Sequence, residues 1–291
     1  MISVFARNYG PVTICDPNNF YAASFDGVDD YAIVSGVGSI KATTDYFWSY
    51  WIKYNNTTSD GNLRWQWGQS ISGNNQEDFI RILYQAATGN NRIEFNYRTS
   101  GTANQMTTYW NLYGANSSIT GSTSSTDYWN ASNTNINVNA NGYVHLAFAY
   151  SGAAVGQPSS ASSVRCYWNG QLMTATAGAT SGNIINNGVT NNQWGIGINP
   201  YNLSTSNVSN MYFDSLFMIP DMAVFKSVNG FGASNEAQIV QILYNNGCPT
   251  GGIVNDARWL EMEFENSWTD SNGYGITLTA ANGATFTSNH A

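Results

Sequence analysis

Tyr143-Val144-His145-Leu146-Ala147-Phe148-Ala149-Tyr150 alternates as a strand, and after a Gly/Ser-rich loop the chain returns as Val164-Arg165-Cys166-Tyr167-Trp168-Asn169-Gly170-Gln171-Leu172-Met173. Val144, Leu146, Phe148 and Tyr150 share one face, because side chains alternate across a pleated strand. The return run is rich in β-formers up to Asn169-Gly170, the dipeptide best able to hold the two positive φ values of a type I′ turn. Together they predict the core of a β-sheet.

Towards the N-terminus, Tyr46, Trp48, Tyr50, Ile52 and Tyr54 fall on one face of a run whose other face carries Phe47 and Trp51, so both faces need cover. Trp65 and Trp67 sit side by side on the next strand, and Trp48, Tyr50, Trp65 and Trp67 are assigned to the core. Phe79–Tyr84 and Asn91–Tyr97 predict an antiparallel pair across a Gly-Asn-Asn turn. Tyr21–Val34 predicts a strand, an Asp26-Gly27 turn and a second strand. Residues 1–20, with Pro11 and Pro17 and little periodicity, predict an extended arm of the kind that clasps a neighbour.

Residues 99–142 are Ser/Thr/Asn/Gly-rich with aromatic islands, too long for an ordinary connection, and are expected to be a functional excursion or a partner contact. Trp194, Ile196 and Ile198 resume the alternation; Met211–Ile219 and Asp221–Lys226 predict two more strands. One helix is predicted over Ser234–Tyr244, with Ser234 as N-cap, Glu236 at the positive end of its dipole, and Gly247 and Pro249 as stops. Arg258–Phe264 and Gly275–Thr279 predict terminal strands.

The 291 residues suffice for one large sandwich. Only 10% are charged and the net charge is −8, with no basic cluster, so the footprint required by a phosphate backbone is missing and nucleic acid is not an expected partner. No apolar run is long enough to span a membrane, and the N-terminal stretch lacks an apolar signal segment, so synthesis in a cytoplasm is expected. Cys15, Cys166 and Cys248 are an odd number at unrelated spacings and are expected to be free thiols.

Several of these segments resemble one family, the laminin-G-like or concanavalin A-like lectin/glucanase jelly rolls. Ser24-Phe25-Asp26-Gly27-Val28-Asp29-Asp30-Tyr31, the Tyr143–Tyr150 strand, the Val164–Gly170 hairpin and the Asp221–Phe225 segment followed by Asn235–Gly247 are similar to its motifs in the expected order. The resemblance implies an all-β antiparallel jelly-roll β-sandwich over residues 21–291 with one short C-terminal helix, a long insertion at 99–142 and terminal strands within 258–288. The strand-turn-strand that often precedes the Phe-Asp-Gly motif comes last here, as if the same sheet were completed from the other terminus. Such a jelly roll with low charge and Asn/Ser/Thr-rich loops also resembles virion proteins of tailed bacteriophages. That implies a non-enzymatic structural protein on the outer surface of a head or tail, homo-oligomeric, in contact with other capsid or tail proteins. The alternative is a carbohydrate-binding adhesin for host-surface glycans.

Three constellations carry candidate chemistry. Tyr109, Trp110, Tyr113, Tyr128 and Trp129 offer ring faces for sugar C–H groups beside Asn and Gln hydrogen-bonding groups, or else form a subunit interface. Asp26, Asp29 and Asp30 offer oxygens to Ca²⁺, which some members of the fold bind, with Asp45, Asp214 or Asp221 to complete the shell; the other reading is turn chemistry, with Asp29 capping an Asp26-Gly27 turn. Glu261, Glu263 and Glu265 alternate as the carboxylates of β-glucanases do, but the central Asp of that pattern is Glu here, and charges on the solvent face of an edge strand explain the row as well. No catalytic residue is assigned, His145 is taken as a packed strand residue, and no cofactor other than calcium is expected.

Overall fold

The computed structural model describes residues 21–35, 45–54, 63–71, 74–83, 92–100, 104–111, 142–151, 164–175, 177–181, 193–198, 208–219, 221–229, 231, 235–244, 260–269 and 276–288. The expected arm at 1–20, the whole of 112–141 and the Ser234 cap lie outside the described residues. In chain order the strands are β1 (Ala22–Asp26), β2 (Tyr31–Ser35), β3 (Asp45–Tyr54), β4 (Leu63–Ile71), β5 (Asn74–Leu83), β6 (Arg92–Ser100), β7 (Asn104–Asn111) and β8 (Val144–Ser151). They continue as β9 (Val164–Trp168), β10 (Gln171–Leu172), β11 (Ala177–Ser181), β12 (Gln193–Ile196) and β13 (Asn210–Ile219). Helices α1 (Met222–Val228) and α2 (Glu236–Tyr244) precede β14 (Leu260–Met262), β15 (Thr279–Ala281) and β16 (Thr285–Thr287). Of β4, β5 and β11 the backbone alone is described, so the placement of the Trp65 and Trp67 side chains lies outside the described residues.

The first sheet runs β10-β9-β8-β3-β13-β1-β16, with β14 also on β13; the second runs β11-β7-β6-β5-β4-β12-β2-β15. Every described pairing is antiparallel, and the chain crosses repeatedly between the sheets, which makes this a jelly-roll sandwich. Among the described residues no helix is long and apolar enough to cross a membrane.

Both faces of β3 are covered, as its sequence demands. Tyr46, Trp48, Tyr50 and Ile52 enter the core between the sheets, where Trp48 lies 5.1 Å from Tyr46, 5.5 Å from Phe148 and 5.8 Å from Phe95 across the sandwich. Offset and tilted rings at such distances add to the burial of their area. Phe47 belongs to a second cluster with Ala147, Ala149, Phe217, Ile219 and the helix residues Met222, Phe225, Ile239, Val240 and Leu243. The two helices therefore roof the outer face of the first sheet.

Several expected elements differ. Asp221–Lys226 lies in helix α1 and not in a strand, so the described residues hold two helices: Asp221 is an N-cap whose Oδ1 accepts the Val224 N–H at 3.0 Å, and Met222 and Phe225 recur at the helical spacing. The 99–142 stretch includes β7, and the small-residue run after Met173 includes β11, which pairs with β7. Thr and Ala side chains there give too weak a period to declare a strand. Finally, β1 and β2 do not pair. β1 joins the first sheet through β13 and β16, and β2 joins the second through β12 and β15. The Asp26–Asp30 turn thus crosses the sandwich, and so does the Asn282-Gly283 turn joining β15 to β16. Both chain ends complete both sheets at one corner.

Candidate functional site

On β6 and β7, Ile93, Phe95 and Trp110 point into the core, so alternation places Arg92, Glu94, Asn96, Thr107, Tyr109 and Asn111 on the outer face of the second sheet. Register sets Arg92 opposite Asn111, Glu94 opposite Tyr109 and Asn96 opposite Thr107. Arg92 Nε donates to Glu94 Oε1 at 2.7 Å, its Nη2 lies 2.6 Å from the same oxygen, and the guanidinium stacks 4.4 Å from the centre of the Tyr109 ring. Thr107 Oγ1 donates to Asn96 Oδ1 at 2.8 Å. Glu94 is buried, and the guanidinium supplies the charge that a buried carboxylate needs. The result is a largely buried polar row, with Glu94, Asn96 and Asn111 buried and Thr107 partly exposed, beside one partly exposed aromatic ring held in place by Arg92.

Of the aromatic candidates, Tyr109 lies in this row. Trp110 does not: it is 1% exposed, packed edge-on to Phe148 at 6.1 Å inside the sandwich, with no face left for a ligand. Adjacent strand residues point to opposite sheet faces, and the Tyr109-Trp110 pair cannot serve together. Tyr113, Tyr128 and Trp129 lie outside the described residues. Arg92, Glu94, Asn96 and Thr107 had no place in the sequence-based set; the Glu94/Asn96 alternation against Ile93/Phe95 was the available signal.

Asp26, Asp29 and Asp30 each offer a carboxylate oxygen, all within 4.8 Å of one another. Asp26, not Asp29, caps the turn: its Oδ1 accepts the Val28 N–H at 2.7 Å and the Asp29 N–H at 3.4 Å. Asp30 Oδ2 accepts the Asp26 N–H at 2.9 Å. Burial pushes the Asp30 carboxyl above its usual range against the pull of that backbone bond, and the charges of Asp26 and Asp29 push it the same way as burial. Asp45, Asp214 and Asp221 are not in the cluster; Asp221 caps α1 and Asp214 is buried on β13 opposite Trp51.

The Glu261, Glu263, Glu265 row is not one strand face. β14 stops at Met262, Phe264 turns into the left-handed region with φ 57° and buries its ring, and Glu265 Oε1 accepts the Tyr21 N–H at 3.2 Å. Glu261 is itself 4% exposed, not the solvent face of an edge strand. Glu261 and Glu263 line a cavity of about 10 Å³ with Ser49, Trp51, His145, Ser215, Phe217 and Leu243. That is room for one water and not for a sugar ring. His145 packs between Trp51 at 5.2 Å and Tyr244 at 6.0 Å, and burial lowers its pKa to about 3.

No family model and no curated protein matches the sequence. Solved structures with a similar layout include botulinum neurotoxin type C, described as entering cells through two ganglioside molecules, at 12% identity and a TM-score of 0.42 over 77% of this chain and 42% of that one. Domains LG4-5 of the mouse laminin α1 chain match at 12% identity and a TM-score of 0.40 over 70% of this chain and 41% of that one. The CBM40 module of the Ruminococcus gnavus IT-sialidase, bound to α2,6-sialyllactose, matches at 10% identity and a TM-score of 0.42 over 76% of this chain and 98% of the module. The chain thus spans under half of the toxin and laminin chains. The likeness is one of strand layout.

Proposed function

We propose that this chain is a non-enzymatic carbohydrate-binding sandwich that takes a sugar on the outer face of β6 and β7. The observation behind this reading is Tyr109, a partly exposed ring oriented by Arg92, next to the partly exposed Thr107 and backed by the buried amides of Asn96 and Asn111. A glycan array with neutral and sialylated chains tests it. Binding by the wild type, reduced about two- to tenfold by Tyr109→Ala, is the expected result, since a stacked ring of this kind contributes about 0.5–1.5 kcal/mol. A silent array, or binding indifferent to Tyr109→Ala, ends the proposal.

A place on the outer surface of a virion, as a homo-oligomer, is the second reading. Its support is the neutral polar composition, with only 10% charged residues. Oligomeric mass measured with and without residues 1–20 separates the two: a defined oligomer that loosens on truncation favours an assembled structural role, and a monomer indifferent to truncation favours the free binding module.

A further inference from the structure

We infer that Asp26, Asp29 and Asp30 form a calcium site that clamps the corner where the two chain ends cross between the sheets. The inference is independent of the glycan reading. Three carboxylate oxygens lie within 4.8 Å of one another, which is no wider than a Ca²⁺ shell, twice a Ca–O distance of about 2.4 Å. A Mg²⁺ shell is tighter, at about 2.1 Å per ligand, and demands stricter geometry.

The second observation concerns Asp30 alone. It is 5% exposed, its Oδ2 is engaged by the Asp26 N–H, and its Oδ1 is buried with no hydrogen-bond partner. A buried carboxylate oxygen without a donor is costly, and a cation coordinated by the cluster meets that need. The space beside it is kept open by Gly283, where an added Cβ would stand 3.0 Å from Asp30 Oδ1. Gly283 belongs to the β15–β16 turn, whose Asn282 Nδ2 also donates to the Asp29 carbonyl at 3.0 Å. The cluster therefore sits against both crossing turns, and a bound ion would fasten the C-terminal hairpin to the β1–β2 turn.

The test is thermal unfolding of the full chain in EDTA, in about 5 mM Ca²⁺ and in about 5 mM Mg²⁺, concentrations that saturate a site of ordinary extracellular affinity. Calcium is expected to raise Tm by about 3 °C or more and magnesium by less than half of that, by mass action on the folded state. Asp29→Asn and Asp30→Asn are each expected to lose the gain. Amide exchange across Thr279–Thr287 should slow with calcium in the wild type only. If Asp30→Asn does not fold, Asp29→Asn, whose side chain is partly exposed, decides the matter. A wild type indifferent to calcium overturns the inference, as does a gain equal in magnesium or one that survives Asp29→Asn.

Discussion

Asn169 and His145 are joined by two reciprocal hydrogen bonds: the Asn169 N–H donates to the His145 carbonyl at 2.9 Å, and the Asn169 Oδ1 accepts the His145 N–H at 2.9 Å. One residue thus opens the turn between β9 and β10 and, with its side chain, extends the β8–β9 ladder past Trp168. Its φ of 47° and the 79° of Gly170 are the paired positive values of a type I′ turn. Asn169→Gly keeps the backbone conformation and removes the side-chain acceptor, so an unfolding free energy lower by about 1–2 kcal/mol is expected. Asn169→Ala should cost about 1 kcal/mol more, because an ordinary side chain pays for the left-handed conformation. Urea denaturation of both variants measures the difference; equal losses would remove the backbone part of the argument.

His145 makes the fold acid-sensitive. Burial holds its pKa near 3 in the folded chain, against about 6.5 when unfolded. A base with a depressed folded pKa contributes its full stability above the unfolded value, and stability drains away as pH falls from about 6.5 towards about 3, by up to about 1.4 kcal/mol per pH unit. His145→Phe should lack that component, whatever its own stability. Urea midpoints followed from about pH 7 to about pH 4 would show the wild type falling more steeply on acidification than the variant; parallel profiles would contradict the neutral buried imidazole.

The N-terminus of α2 is fastened to the first sheet by Glu236. Arg165 Nε and Nη2 donate to its Oε1 and Oε2 at 2.8 and 2.6 Å, Tyr167 Oη donates to Oε1 at 2.5 Å, and Arg165 Nη2 also reaches Ser151 Oγ at 2.8 Å. Burial pushes the Glu236 carboxyl up, but the Arg165 and Tyr167 bonds outweigh it and hold the pKa below the usual carboxylate value. Its contribution is therefore present at neutral pH and lost as pH falls through that lowered value. Glu236→Gln is expected to destabilise by about 1–3 kcal/mol at neutral pH, with a smaller penalty in acid. A double-mutant cycle with Arg165→Met should return a coupling of about 1 kcal/mol or more.

Tyr109 and Trp110 are neighbours with opposite duties. Trp110→Ala empties core volume against Phe148 and should cost about 3–5 kcal/mol. Tyr109→Ala removes a partly exposed ring and should cost about 1 kcal/mol or less, its effect appearing in glycan binding instead. Thermal unfolding of the pair, read beside the array, separates the two roles; a Trp110→Ala protein as stable as wild type would refute the core placement.

How much was legible before the structure depends on range. The β8–β9 pair, the Asn169-Gly170 turn, the two-faced β3 and the β5–β6 pair are all specified by residues within a few positions of one another, through alternation and turn dihedrals. For α1 the capping signal of Asp221 was present, but its apolar run also satisfied a strand, and roofing by α1 of the outer sheet face decided the matter.

The sequence by itself determined the β class, the Asn169-Gly170 turn and the presence of an Asp-rich turn. Tertiary structure alone decided that β1 and β2 part to different sheets, that Tyr109 faces out while Trp110 faces in, and that Asn282 and Gly283 meet Asp29 and Asp30 across most of the chain. Local dihedral preference is carried by adjacent residues. Choice of strand partner is settled by burial and hydrogen bonding between segments remote in sequence, which no local pattern records.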